Sequence, residues 1–189
     1  MQIKNIILAS KSPRRKEILN LLDLNFKVEV PEVDEVFPES LDVTKVGEYL
    51  ANLKAEAFTN ISSDTVVITA DTVVILDESI LGKPKNKTEA VKMLQSLSNR
   101  NHKVMTGVCI KSKDKTISFS NTTKVFFKEL TSSEINYYIE NYKPFDKAGS
   151  YGIQEWIGAI GINKIEGSYF NVVGLPINQL YKNLKKYFF

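Results

Sequence analysis

In Ile6-Ile7-Leu8-Ala9-Ser10-Lys11-Ser12-Pro13-Arg14-Arg15 a short apolar strand hands over to a helix. The strand is expected at about 5–9 and the helix at about 13–23. Ser12 is a residue type that caps a helix start, because its hydroxyl accepts from a first-turn N–H. Pro13 suits the first helical position, where its missing N–H costs nothing. Free N–H groups and the helix dipole favour an anion at such an end. A strand that runs into a helix in this way is the first unit of an α/β fold.

The alternation continues along the chain. Asn25 to Val30 alternates as a strand should, and the acidic loop Pro31-Glu32-Val33-Asp34-Glu35 follows. Val43, Val46, Leu50, Leu53, Ala57 and Ile61 mark one face of a long amphipathic helix, with Asp42 as its N-cap. Residues 66–76 form a β-rich run, 89–97 a helix, and 103–111 and 116–127 strands. Thr131-Ser132-Ser133-Glu134 is a capping box that opens another helix. Short strands and turns are expected from Gly149 to Gly174, and a closing helix from Pro176 to Tyr187. The sheet should be mixed.

The 189 residues suit one domain, 1–189, or two small lobes sharing a core. With 43% apolar and 25% charged residues, disorder, collagen and coiled coil are excluded. No apolar run approaches the roughly 20 residues that span a bilayer. Ile6 to Ala9 is too short for a signal-peptide core, so a cytoplasmic location is expected. The net charge of +3 is too mild to point to nucleic acid, and a membrane partner is not expected either.

Scarce residue types narrow the chemistry. The single cysteine, Cys109, and the single histidine, His102, rule out an internal disulfide and a Cys/His zinc cluster. Cys109 reads as a core residue, and His102 as a structural or surface histidine. Any metal must be held by oxygen, which points to Mg²⁺ or Mn²⁺. Only three of the 25 basic residues are arginines, and two of them are Arg14 and Arg15. Arginine offers phosphate a planar fork that lysine lacks. A capped helix with surface arginines accounts for the segment equally well until that scarcity is weighed.

Asp71-Thr72 interrupts the apolar run Val66 to Leu76. An ionised carboxylate there is costly unless it is paired, metal-bound or opened to a cleft. A buried aspartate satisfied by backbone donors ranks below a functional role. Leu81-Gly82-Lys83-Pro84 is a turn presenting one lysine; Pro84 excludes a Walker A loop, and no G-x-G-x-x-G occurs. Glu35 and Lys54, each taken alone, are solvated surface charges. In Asp146-Lys147-Ala148-Gly149-Ser150-Tyr151-Gly152-Ile153-Gln154 the glycines permit tight turns, and the Gln154 amide can both donate and accept. Taken alone, this stretch reads as a glycine-rich connection.

Together the sequence resembles the Maf family of nucleotide pyrophosphatases. The matching stretches are Leu8 to Arg15, Ala70 to Val74, Leu81 to Pro84, His102 to Val108, Asp146 to Gln154 and Gly167 to Pro176. Asn99 stands where the family usually has glycine, in a turn that asparagine tolerates. The resemblance implies an inosine-triphosphate-pyrophosphatase-like fold, with an elongated mixed β-sheet, flanking helices and two lobes around a cleft. It implies hydrolysis of dTTP and UTP to monophosphate and pyrophosphate, with Mg²⁺ or Mn²⁺, and leaves modified pyrimidine triphosphates as a further option. A nucleotide-binding regulator of cell division without turnover is the alternative. By resemblance Asp71 is the proton acceptor. Arg14, Thr72 and Gln154 set substrate choice, and Ser10, Arg15, Lys54 and Lys83 bind phosphate. Glu35 and Asp71 hold the metal. The implied partners are the nucleoside triphosphate and, as one option, a second copy of the chain.

Overall fold

The structure is a computed structural model that describes residues 4–189. Its elements in chain order are β1 (Asn5–Leu8), α1 (Pro13–Asn20), β2 (Lys27–Val28), α2 (Val46–Glu56), β3 (Thr65–Leu76), β4 (Ser79–Leu81) and α3 (Lys87–Leu97). There follow β5 (Asn101–Lys111), β6 (Thr116–Phe127), α4 (Ser132–Tyr142), α5 (Trp156–Gly161), β7 (Ile162–Glu166), α6 (Tyr169–Val173) and α7 (Ile177–Tyr187). A 3₁₀ turn at Ala148–Ser150 lies between α4 and α5. The sheet has seven strands in the order β2-β1-β3-β5-β6-β7, with β4 paired to β3. It is mixed, as expected: β1 runs parallel to β2 and β3, whereas β4 is antiparallel to β3 and β7 to β6.

The contacts divide the chain into two compact units. The first comprises the described residues up to Thr72, with Thr106–Asn121 and Gly174–Phe189. Here α2 lies directly on β5. A Cβ at Gly107 would stand 2.1 Å from the Glu48 backbone nitrogen, so only glycine permits this approach. The Thr69 hydroxyl donates to the Ala51 carbonyl at 2.6 Å. Lys111 Nζ donates to the carbonyls of Ala55 and Phe58 at 3.1 and 2.9 Å, closing the C-terminal end of α2. Ala51, Ala55 and Cys109 pack together beneath the helix.

The second unit comprises Val73–Met105 and Thr122–Val173. Its core joins Val74, Leu94, Val125, Ile135, Tyr138 and Ile157 among other buried side chains. His102, Phe127 and Tyr151 form a ring cluster with centroids 5.1 to 5.6 Å apart.

Several expectations need correction. The second strand is only Lys27–Val28, both exposed at the sheet edge, because it pairs with β1 alone. Asp42 caps a turn ahead of α2, accepting from the Thr44 N–H at 2.8 Å and the Thr44 hydroxyl at 2.6 Å. The helix itself starts at Val46 and stops at Glu56, short of Ile61. α1 ends at Asn20, and the chain turns through a left-handed Asp23 at φ 53°. The stretch from Gly149 to Gly174 holds two short helices, α5 and α6, besides β7. Other expectations hold. The Thr131–Glu134 capping box is formed, and Ser12 caps α1 with Pro13 behind it. Asn99 adopts the left-handed backbone that a glycine would take there, at φ 55°.

Candidate active site

The first unit holds seven of the residues singled out in the sequence: Ser10, Arg14, Arg15, Glu35, Lys54, Asp71 and Thr72. β1 ends at Leu8, and the Ala9 N–H still donates to the Ile68 carbonyl at 2.8 Å. Ser10 is buried at that strand end, and its hydroxyl accepts from the Ser12 N–H at 3.2 Å. Arg15 points back from α1 over the same point. Its Nε donates to the Gly174 carbonyl at 2.9 Å, Nη1 to Ser10 Oγ at 3.2 Å and Nη2 to Thr72 Oγ1 at 3.0 Å. Thr72 Oγ1 lies 2.9 Å from Thr106 Oγ1. A guanidinium has five N–H donors, so Arg15 joins three parts of the chain and keeps two donors beyond these bonds.

Asp71 precedes Thr72 on β3, so the two side chains leave opposite faces of the strand. Asp71 Oδ1 accepts from Lys54 Nζ at 2.7 Å. The same ammonium lies 2.9 Å from Glu35 Oε1. The Lys54 and Asp71 side chains are 12% and 13% exposed and Glu35 49%, so the group opens to solvent on the Glu35 side. Lys54 reaches Asp71 because α2 is fixed on β5 at Gly107. Neither Glu35 nor Lys54 is therefore an isolated surface charge.

The electrostatics couple these groups. Burial lowers the Arg15 guanidinium from its ordinary range, and the neighbouring Arg14 lowers it further. Asp71, and behind it Glu35, act in the opposite direction. An arginine stays protonated through such a shift.

Asp71 and Glu35 aim carboxylate oxygens at one cationic point, now taken by Lys54 Nζ. Hard oxygen donors converging in this way fit Mg²⁺ or Mn²⁺. Among the described residues no group of three or more His, Cys, Asp or Glu side chains could hold a metal. A cation held by Asp71 and Glu35 would therefore take the rest of its shell from phosphate oxygens and water, a usual arrangement for Mg²⁺.

Lys83 and Gln154 belong to the second unit, and both are exposed. Their segments meet where the Gly149 N–H donates to the Gly82 carbonyl at 3.0 Å. Gly149 needs to be glycine, with φ 68° and Val74 Cγ1 3.0 Å from where a Cβ would stand. Gln154 sits in a turn closed by the Glu155 N–H on the Gly152 carbonyl at 3.1 Å.

No local pattern marks Gly174 or Thr106 as partners of Arg15 and Thr72. Gly174 has a signal in retrospect, a glycine ending the Gly167–Pro176 stretch, and its φ is 127°. The two scarce residues behave as expected. Cys109 is wholly buried, its thiol pushed up to about 11 by burial, so it is no nucleophile. His102 is buried, with Nε2 2.6 Å from the Tyr151 hydroxyl, and desolvation lowers its pKa to about 4. No helix among the described residues is long and apolar enough to cross a membrane.

The family model described as "Maf-like protein" matches residues 5–187. A Christiangramia forsetii protein named dTTP/UTP pyrophosphatase is 53% identical over 96% of this chain and 93% of its own. A Porphyromonas gingivalis protein of the same name is 52% identical, covering 96% and 94%. One from Flavobacterium psychrophilum is 51% identical, covering 97% and 95%. Among solved structures, the Staphylococcus aureus Ham1 protein aligns over 66% of this chain and 72% of its own, at 19% identity and a TM-score of 0.48.

Proposed function

The chain belongs to the family of Maf-like proteins, and from that premise we propose that it hydrolyses dTTP and UTP to the monophosphate and pyrophosphate. The observation that carries this reading is half-identity, over nearly the full length of both chains, to proteins named dTTP/UTP pyrophosphatase. The side chains of the first unit suit the chemistry. A triphosphate brings about four negative charges, which Arg14, Arg15, Lys54 and the N-terminal end of α1 at Ser12 counter. Arg15 keeps donors for a phosphate oxygen while Ser10, Thr72 and Gly174 hold it still.

Cleavage of the α–β anhydride needs an activated water, an in-line approach and a neutralised leaving group. Asp71 is the acceptor of the water's proton, held in place by Lys54 at 2.7 Å. Asp71 and Glu35 would hold the divalent cation, whose chemistry is neutralisation of phosphate charge. Lys83 adds a further positive charge for the phosphates. Gln154 reads the base. Uracil and thymine present two carbonyls flanking an N–H, and one amide can pair with that edge but mismatches cytosine. Thr72 and Arg14 share in substrate choice.

The test is pyrophosphate release from a panel of nucleoside triphosphates with Mg²⁺ or Mn²⁺. UTP and dTTP should be converted faster than CTP, with pyrophosphate as the first product. Orthophosphate as the first product would overturn the assignment. Tight binding without turnover would instead favour a regulator of the kind a pure nucleotide sensor represents.

A further inference from the structure

Gln154 is exposed, yet the turn that carries it is fixed from beneath by one buried hydroxyl. Tyr138 on α4 is completely buried in the core of the second unit. Its Oη accepts from the Gly152 N–H at 3.1 Å and donates to Glu155 Oε2. Those two residues are the ends of the turn, and Gln154 lies between them. The far oxygen of Glu155 faces Lys147 Nζ at 3.0 Å, and that ammonium also meets Asp146 Oδ1 at 2.7 Å. The Glu155 carbonyl then starts α5, accepting from the Gly158 N–H at 2.9 Å. Gly158 is required for this packing, since a Cβ there would stand 2.0 Å from the Ile153 carbonyl oxygen. The neighbouring Tyr137 contacts Trp156, with ring centroids 4.8 Å apart.

The arrangement constrains the position of Gln154 through backbone and neighbour, leaving its own amide uncommitted among the described residues. A Cβ at Gly152 would stand 2.9 Å from Glu155 Cδ, so glycine here leaves the Glu155 carboxylate room beside the turn. Burial, with help from the Glu155 bond, raises the Tyr138 phenol, which keeps its proton and its dual donor and acceptor role. A phenylalanine would fill the same space and lose both bonds. The Gly152 N–H and Glu155 would then lack that partner, and the turn could shift.

We infer that Tyr138 is a positioning residue for base selection, acting through the Gly152–Glu155 turn, with Glu155 and Lys147 as its supports. This inference rests on the reading that Gln154 recognises the base. Small displacements of a recognising group carry large costs, so Tyr138→Phe should cut the UTP-over-CTP ratio of kcat/KM by about 10-fold. The loss should come mainly from UTP and dTTP, not from a uniform fall across nucleotides.

The experiment compares Tyr138→Phe, Gln154→Ala and the double variant on UTP, dTTP and CTP, with melting temperatures measured alongside. The double variant should match Gln154→Ala in its ratio, because both single changes remove the same recognition. Glu155→Ala is the second variant, since its side chain is 25% exposed and water can replace it. It should lower the ratio by roughly 3-fold, a smaller effect because the Gly152 bond survives. Trp156, the single tryptophan, borders the turn and gives a readout free of catalysis. Its emission should shift in folded Tyr138→Phe and stay unchanged in Gln154→Ala.

If Gln154→Ala leaves the ratio unchanged, the base-reading role of Gln154 fails, and the selectivity role of Tyr138 falls with it. If Gln154→Ala erodes the ratio but neither Tyr138→Phe nor Glu155→Ala does, the Tyr138 inference alone is overturned. A Tyr138→Phe variant that loses activity equally on all three nucleotides would likewise reduce Tyr138 to a packing role.

Discussion

The two units each bury a polar network, and the networks are built to opposite ends. In the first, Arg15 spends three of its five N–H donors on Gly174, Ser10 and Thr72. Lys54 spends two of its three on Asp71 and Glu35. Both cations keep donors beyond these bonds among the described residues, and Glu35 leaves the group half open. In the second, Lys147, Glu155 and Tyr138 close on one another and on the Gly152 backbone. Lys147 is 9% exposed and Glu155 25%, so this network is the more enclosed of the two, while Asp146 and Gln154 face outward. The difference teaches how to tell a ligand site from a brace. Spare donors next to solvent suit a charged substrate, whereas an enclosed network tied to a backbone N–H suits positioning.

The largest expected effect tests the open network. Asp71→Asn is nearly isosteric and should lower turnover by roughly 10²-fold or more. Pyrophosphate release measures the loss, and the melting temperature should change little. If stability collapses while residual turnover per folded molecule stays near wild type, this network too is a brace.

Acid pH probes the closed side through its buried histidine. Desolvation lowers His102 from an ordinary 6.5 to about 4, so the folded chain keeps it neutral. The unfolded chain takes up that proton as pH falls below about 6.5. The contribution is therefore fully present above that value and is lost as pH falls toward 4. It should cost about 3 kcal/mol at most across this window. Denaturant titrations from pH 7 to 4 on wild type and His102→Gln should show a shallower loss in the variant. Equal slopes would mean that His102 titrates alike in both states.

Lys147→Met sharpens the contrast further. Removing the ammonium leaves Glu155 without its ion pair in a partly buried site, at a cost of about 2 kcal/mol. Chemical denaturation should register this, while kcat on UTP changes far less than in Asp71→Asn. A kcat loss as deep as that of Asp71→Asn would erase the distinction between the networks. The smallest effect belongs to Arg14→Lys, which keeps the charge and loses the fork. A several-fold rise in KM for UTP is expected if the fork meets phosphate. An unchanged KM would show that charge alone suffices at position 14.

Much of the molecule was legible before folding because its signals are local. The Ser12-Pro13 helix start and the Thr131–Glu134 box involve groups a few residues apart, and both form. Strand 116–127 appears with the expected limits, since its neighbours carry the pattern. Lys27–Val28 was overestimated because alternation marks a strand's faces and not how many partners it finds. The helices α5 and α6 were missed because they span six and five residues, too few to establish a period.

The sequence by itself determined the α/β order of elements, the buried state of Cys109 and the suspicion attached to Asp71. Local chemistry suffices for these: capping, periodicity and the cost of a carboxylate in an apolar strand. Only the tertiary structure decided that Lys54 lies between Asp71 and Glu35, that Arg15 reaches Gly174 across 159 residues, and that Tyr138 holds both ends of the Gln154 turn. Such pairings depend on where whole elements pack, as α2 does on β5 at Gly107. A side chain's partner across that distance is set by three-dimensional approach, which no spacing along the chain encodes.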